Sequence, residues 1–131
     1  MKHAVARRRK GYEHEIEMRE HRLIVDEPEN NGGTDQGPTP TELLAASLAS
    51  CTAITIEMYA DRKGWDVGAL EVEVDSEVAP EKGRARFDVT LKLPAALTDD
   101  QVERIGVIAG KCPVHRTLTG DVEITDRVVR V

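Results

Sequence analysis

The sequence predicts an α+β protein in which antiparallel strands accompany one long, buried, central helix. Apolar and charged residues alternate along several short segments, as is typical of strands with one face buried. Residues 43–56 carry no charged side chain, which predicts a helix buried nearly all round. Clusters of turn-forming residues separate these segments. A chain of 131 residues is enough for one core, so we expect a single domain spanning residues 1–131.

The first third of the chain predicts three strands and a loop. Residues 5–8 and 12–19 show the alternation of the first two strands, and residues 23–25 continue it as a third. Gly11 and Glu20-His21 are the predicted hairpin turns. Residues 27–38, EPENNGGTDQGP, consist almost entirely of turn formers and predict a long surface loop, a kind of segment that is often functional.

The apolar helix has recognisable start and stop signals. Thr39 is the predicted N-cap, Pro40 the first helical residue and Glu42 the partner that completes a capping box. Gly64 follows basic residues and predicts a left-handed stop. Alanine and serine between the bulky side chains would let a second helix approach closely.

The remaining segments predict two paired strands, a second helix and a final strand. Apolar residues alternate with acidic residues along 70–78 and with mostly basic residues along 85–93. The opposite charges favour pairing of these two strands. Thr98 is the predicted cap of the second helix, and Pro113 prevents its simple continuation. A last strand is expected after Gly120, in the order β-β-β-α-β-β-α-β.

Charge and composition exclude several classes of partner. Lys plus Arg is 18 and Asp plus Glu is 24, and the net charge of −6 opposes binding to nucleic acid. The N-terminus lacks the apolar core of a signal peptide, and the uncharged stretch is too short to cross a bilayer. We therefore expect a cytoplasmic protein with neither nucleic-acid nor membrane partners.

Two cysteines, Cys51 and Cys112, are the only residues that suggest chemistry. In a reducing compartment they could be buried structural thiols, metal ligands or a redox pair. Cys51 has apolar neighbours on its predicted helix, and these alone favour a structural role for it. Cys112 precedes Pro113 and fits the N-cap of a short helix, where free amides would favour a thiolate, although an inert turn cysteine is the alternative. His115 is the only further ligand nearby, so no metal is expected. The sequence has no glycine-rich phosphate-binding loop, so no cofactor is expected either.

Two segments together resemble the OsmC/Ohr family of thiol-dependent hydroperoxide reductases. They are GPTPTELLAASLASCTAITIEMYADRKGW and KCPVHRTLTGDVEI, and they look closer to the OsmC-like branch than to the organic hydroperoxide resistance proteins. The resemblance implies an intertwined homodimer with active sites at the interface. It also implies that Cys51 is the peroxidatic thiol and Cys112 the resolving thiol, reduced afterwards by a dithiol, possibly on a lipoylated protein.

The resemblance also implies a cation near Cys51. Arg9, in Arg9-Lys10-Gly11, matches the family arginine that stabilises the thiolate, with a solvated basic residue as the alternative. The family glutamate that pairs with this arginine matches Thr41 here, and Glu42 one residue later is explained by the capping box. His115 could act as a base near Cys112. Two other hypotheses remain: a non-enzymatic module that binds a small molecule in an apolar pocket at the dimer interface, and two purely structural cysteines.

Overall fold

The computed structural model describes residues 1–131, which divide into two compact units. The first unit contains residues 1–46 and 76–86, and the second contains residues 47–75 and 87–131. The long helix and the last two strands contribute residues to both units. The single-domain expectation stays a prediction.

The first unit is built on a three-stranded antiparallel sheet. Its strands are β1 (Val5–Lys10), β2 (Glu13–Met18) and β3 (His21–Val25), with β2 in the middle. Gly11, in the first hairpin turn, has the positive φ that glycine adopts without strain, 55°. All three predicted strands are confirmed, and β1 extends two residues beyond its predicted end.

The predicted loop after β3 is present and is organised by one buried side chain. Asp26 is 1% exposed, and its carboxylate accepts hydrogen bonds from the backbone N–H groups of residues 27, 34 and 36 and from the Thr34 hydroxyl. Burial works to raise the pKa of Asp26, but these donors together outweigh it and lower the pKa. The loop is therefore held to the end of β3 by an ionised carboxylate.

The central helix, α1 (Pro40–Lys63), begins and ends as predicted. The Thr39 hydroxyl accepts from the Glu42 N–H at 3.2 Å, and the Glu42 carboxylate accepts from the Thr39 N–H at 2.9 Å. Gly64 has φ 70°. By length and composition alone α1 could cross a membrane, but the core helices of soluble proteins pass the same test.

The burial of α1 in the single chain is narrower than predicted. Only one stripe at four-residue spacing is buried: Leu48, Thr52, Ile56 and Ala60. Other apolar side chains of the helix are exposed, among them Ile54 and Met58. An uncharged sequence could not reveal which of its faces a single chain covers.

The second unit packs α1 against two further helices and the strands. The paired strands are β4 (Glu71–Ala79) and β5 (Arg84–Lys92), followed by α2 (Asp99–Ala109) and α3 (Pro113–Thr119). Thr98 caps α2 in a complete capping box with Gln101, as predicted for that position. The buried core of the second unit consists of Ile56, Ala60, Val67 and Ile105.

The predicted last strand is absent. Residues 121–131 form neither strand nor helix, and Val122, Ile124 and Val128 are largely exposed. The alternation there satisfies the sequence pattern of a strand, but a strand also needs a neighbouring edge to accept its backbone hydrogen bonds. No such pairing is made within the single chain, and the order is β-β-β-α-β-β-α-α.

Candidate active site

The second unit brings the two cysteines together. Cys51 is half-buried on α1, and Cys112 is fully buried at 0% exposure. Cys112 is the N-cap of α3, as predicted, and its Sγ accepts a hydrogen bond from the His115 N–H at 3.2 Å. The two thiols interact, because Cys112 raises the pKa of Cys51 through a side-chain hydrogen bond and through its charge. Both are free thiols.

A third residue of this cluster, Thr52, was not predicted. Its side chain is in the buried stripe of α1 at 2% exposure, and its Oγ1 lies 3.7 Å from Cys112 Sγ. A polar residue in a buried helical stripe needs a hydrogen-bond partner, and here the partner is the sulfur. The position next to Cys51 in sequence was the only available signal.

The pKa of Cys51 is raised above its ordinary value. Burial is the largest cause, because the thiolate loses solvation. The Val114 N–H lowers the pKa by donating to the sulfur, the Cys112 thiol and its charge raise it, and the Thr55 hydroxyl lowers it. The net effect in the single chain disfavours the thiolate, so a nucleophilic Cys51 requires a further positive group.

An open, mostly apolar pocket of about 240 Å³ lies beside Thr52. His115 lines its wall, which gives this predicted residue a position in the site without an imidazole contact to either sulfur. The remaining lining residues are Val89, Leu91, Gly106, Ala109 and Gly110. The lining suits a small, largely apolar molecule. No cluster of three or more His, Cys, Asp or Glu side chains is arranged to hold a metal ion.

Arg9 belongs to the first unit, where it has a partner that sequence reasoning missed. Its Nε lies 3.1 Å from Oε2 of Glu13, whose side chain is only 8% exposed. The residues Arg9 and Glu13 flank the hairpin turn, so their spacing was visible in the sequence. The structure thus gives Arg9 a carboxylate partner, while its role at a thiolate remains a prediction.

Neither Thr41 nor Glu42 supplies the carboxylate that the family resemblance pairs with Arg9. Glu42 is engaged in the capping box of α1, and the Thr39 N–H is the largest cause that lowers its pKa. The Thr41 hydroxyl contacts the Thr39 hydroxyl at 3.3 Å. The prediction that Glu42 is a helix cap is confirmed.

Fold and site together define a small α+β protein with one thiol on a central helix and a second thiol that caps a short helix. The OsmC-like protein family matches residues 33–126, so the chain belongs to this family. The family prediction is confirmed.

Solved structures and a sequence relative agree with this membership. A Psychrobacter arcticus protein, whose name proposes an osmotic stress and detoxification response, has a TM-score of 0.78 at 24% identity, covering 87% of this chain and 85% of its own. The organic hydroperoxide resistance protein OsmC of Legionella pneumophila has a TM-score of 0.66 at 23% identity, covering 92% and 90%. An uncharacterized Haloferax volcanii protein is 26% identical over 73% of this chain and 75% of its own.

Proposed function

We propose that this protein is a thiol-dependent peroxidase that reduces organic hydroperoxides or hydrogen peroxide. The interaction between Cys51 and Cys112 carries the proposal, because it couples a partly exposed thiol to a fully buried one. A peroxidatic thiol must be reachable by the peroxide, whereas a resolving thiol needs only to reach the first sulfur. The hydroperoxide resistance named for the Legionella pneumophila relative supports the same reaction class.

The reaction follows from the chemistry of two thiols. The Cys51 thiolate attacks one peroxide oxygen, the O–O bond breaks, and the other oxygen leaves as alcohol or water after taking a proton. Cys51 is then a sulfenic acid. The Cys112 thiolate attacks this sulfur, water leaves, and a disulfide forms. A dithiol reductant, such as a lipoylated protein, returns both cysteines to thiols by exchange.

The raised pKa of Cys51 makes a nearby cation necessary for the first step. Arg9 is the candidate, since an arginine stays protonated and can also orient the peroxide oxygens. Its guanidinium is about half exposed and already has a carboxylate partner in Glu13. We expect Arg9→Gln to slow sulfenic acid formation more strongly than it slows disulfide closure, because only the first step needs the Cys51 thiolate.

The active protein is proposed to be an intertwined cytoplasmic homodimer. Three large apolar side chains of α1 are exposed in the single chain, Leu44, Ile54 and Met58. The C-terminal segment, residues 121–131, exposes several valines and has no strand partner. A second copy could cover both surfaces. Sedimentation at micromolar concentration should show a dimer, and a stable monomer would contradict the proposal.

The decisive experiment follows peroxide consumption in the presence of a small dithiol. Wild-type protein should consume organic hydroperoxide, Cys51→Ser should be inactive, and Cys112→Ser should accumulate a sulfenic acid that dimedone traps. A non-enzymatic binding module predicts instead that wild type consumes no peroxide, while Cys51→Ser keeps the fold and the bound small molecule. Peroxide consumption by Cys51→Ser equal to that of wild type would overturn the peroxidase proposal.

A further inference from the structure

A bulge in β1 places two adjacent basic residues at one pocket. Neighbouring side chains of a regular strand point to opposite faces. The pairing of β1 with β2 shifts register between Arg8 and Lys10, so Arg9 is the extra residue of a β-bulge. Bulges of this kind re-aim side chains. Here both Arg9 and Lys10 line a pocket of about 430 Å³ in the first unit.

The guanidinium of Arg9 combines one acidic partner with an exposed side chain. Its Nε lies 3.1 Å from Oε2 of the nearly buried Glu13. The side chain remains 52% exposed. An exposed guanidinium can present N–H donors to a ligand in the planar arrangement that matches a carboxylate.

Gln36, which the loop holds in place, also lines this pocket. The Gln36 backbone N–H donates to the buried Asp26 carboxylate at 3.1 Å, and its side-chain Nε2 donates to the Thr34 carbonyl at 2.9 Å. Ile24 adds an apolar surface.

The charge balance of this pocket selects the ligand. Arg9 and Lys10 contribute two positive charges and Glu13 one negative charge, which leaves +1 for a single negative charge to match. Lys10 makes no ion pair within the chain, so its charge is available. A dianion would contact the same cations, but its second negative charge would be repelled by the Glu13 carboxylate. The volume is in the range of small-molecule sites rather than of a bare ion.

We propose that this pocket binds a small organic acid, with its carboxylate on Arg9 and Lys10 and its carbon chain toward Ile24. The inference goes beyond the peroxidase proposal because neither thiol takes part, and it shares only the Arg9 guanidinium with that proposal.

The test is a titration of Cys51→Ser protein with hexanoate, followed by backbone amide NMR, so that peroxide chemistry plays no part. Saturable shifts are expected at residues 9, 10 and 36. Arg9→Gln should weaken binding about tenfold and Lys10→Gln about threefold, the size expected for losing a charged contact at a half-exposed site. Arg7→Gln and Lys82→Gln, which remove cations outside the pocket, should leave the affinity unchanged.

Two further probes make the proposal refutable. 1-Hexanol, which has the chain without the charge, should not shift these amides, and inorganic phosphate should bind more weakly than hexanoate. The proposal is overturned if hexanoate gives no saturable shift, if the control variants weaken binding as much as the pocket variants, or if phosphate binds more tightly.

Discussion

Replacing Thr52 with valine tests whether the hydroxyl next to Cys51 serves the resolving thiol. Thr52 is 2% exposed, and its Oγ1 lies 3.7 Å from Cys112 Sγ. Valine keeps the branched shape and removes the hydroxyl. The sulfur then retains the His115 N–H as a donor but loses the hydroxyl contact.

The expected effects on stability and on chemistry differ. A net hydrogen bond contributes about 1 kcal/mol and a sulfur contact at this distance less, so the free energy of unfolding should change by less than about 1 kcal/mol. A hydroxyl that donates to the Cys112 thiolate gives more stabilisation than the same contact to the neutral thiol, because the sulfur is then charged. Losing about 0.7 to 1.4 kcal/mol of that stabilisation would slow disulfide formation about three- to tenfold.

The assay is a single turnover followed by rapid acid quench. Reduced protein is mixed with organic hydroperoxide, and the Cys51 sulfenic acid and the disulfide are quantified by mass spectrometry over time. The sulfenic acid should form at the wild-type rate and persist longer in Thr52→Val. Thr90→Val, an exposed threonine on β5, is the matched control. Disulfide formation at the wild-type rate in Thr52→Val would show that the hydroxyl contact has no part in resolution.

Three other predictions concern the fold and the thiol. Ile105→Ala removes a fully buried side chain of the second unit's core and should lower the free energy of unfolding by about 2 to 5 kcal/mol in chemical denaturation. Gly37→Ala would place its Cβ 2.2 Å from the Ile24 carbonyl oxygen, so denaturation should show a loss of more than about 2 kcal/mol, and unchanged stability would refute this close approach. Burial and the Cys112 charge raise the pKa of Cys51. Alkylation of Cys51 by iodoacetamide should therefore become fast only at a higher pH than the pH at which an ordinary thiol is alkylated. The same shift means that the thiol's contribution to stability is complete below the ordinary thiol pKa and is lost as pH rises through the raised value.

Local signals predicted the elements that local interactions specify. The capping boxes at Thr39 and Thr98 and the cap at Cys112 were visible because each motif lies within a few adjacent residues. The strands of the hairpins followed from alternation. Features that depend on pairing were not visible: the bulge at Arg9 arises from the register of β1 against β2.

The site itself was only partly predictable. Residues 51 and 112 are far apart in sequence, and only the resemblance paired them; the structure places both in the second unit, where Cys112 acts on the pKa of Cys51. Thr52 escaped notice because its role depends on Cys112 approaching α1. The last strand was predicted wrongly because its alternation is real but its hydrogen-bonding edge is missing from the single chain.

The redox pairing of Cys51 with Cys112 is tested most directly by peptide mapping after one equivalent of organic hydroperoxide. The fully reduced protein should lose both thiols and yield one disulfide that links the two cysteine-containing peptides within a single chain. The account is contradicted if both thiols remain free, or if the only disulfide formed joins the same cysteine of two different chains.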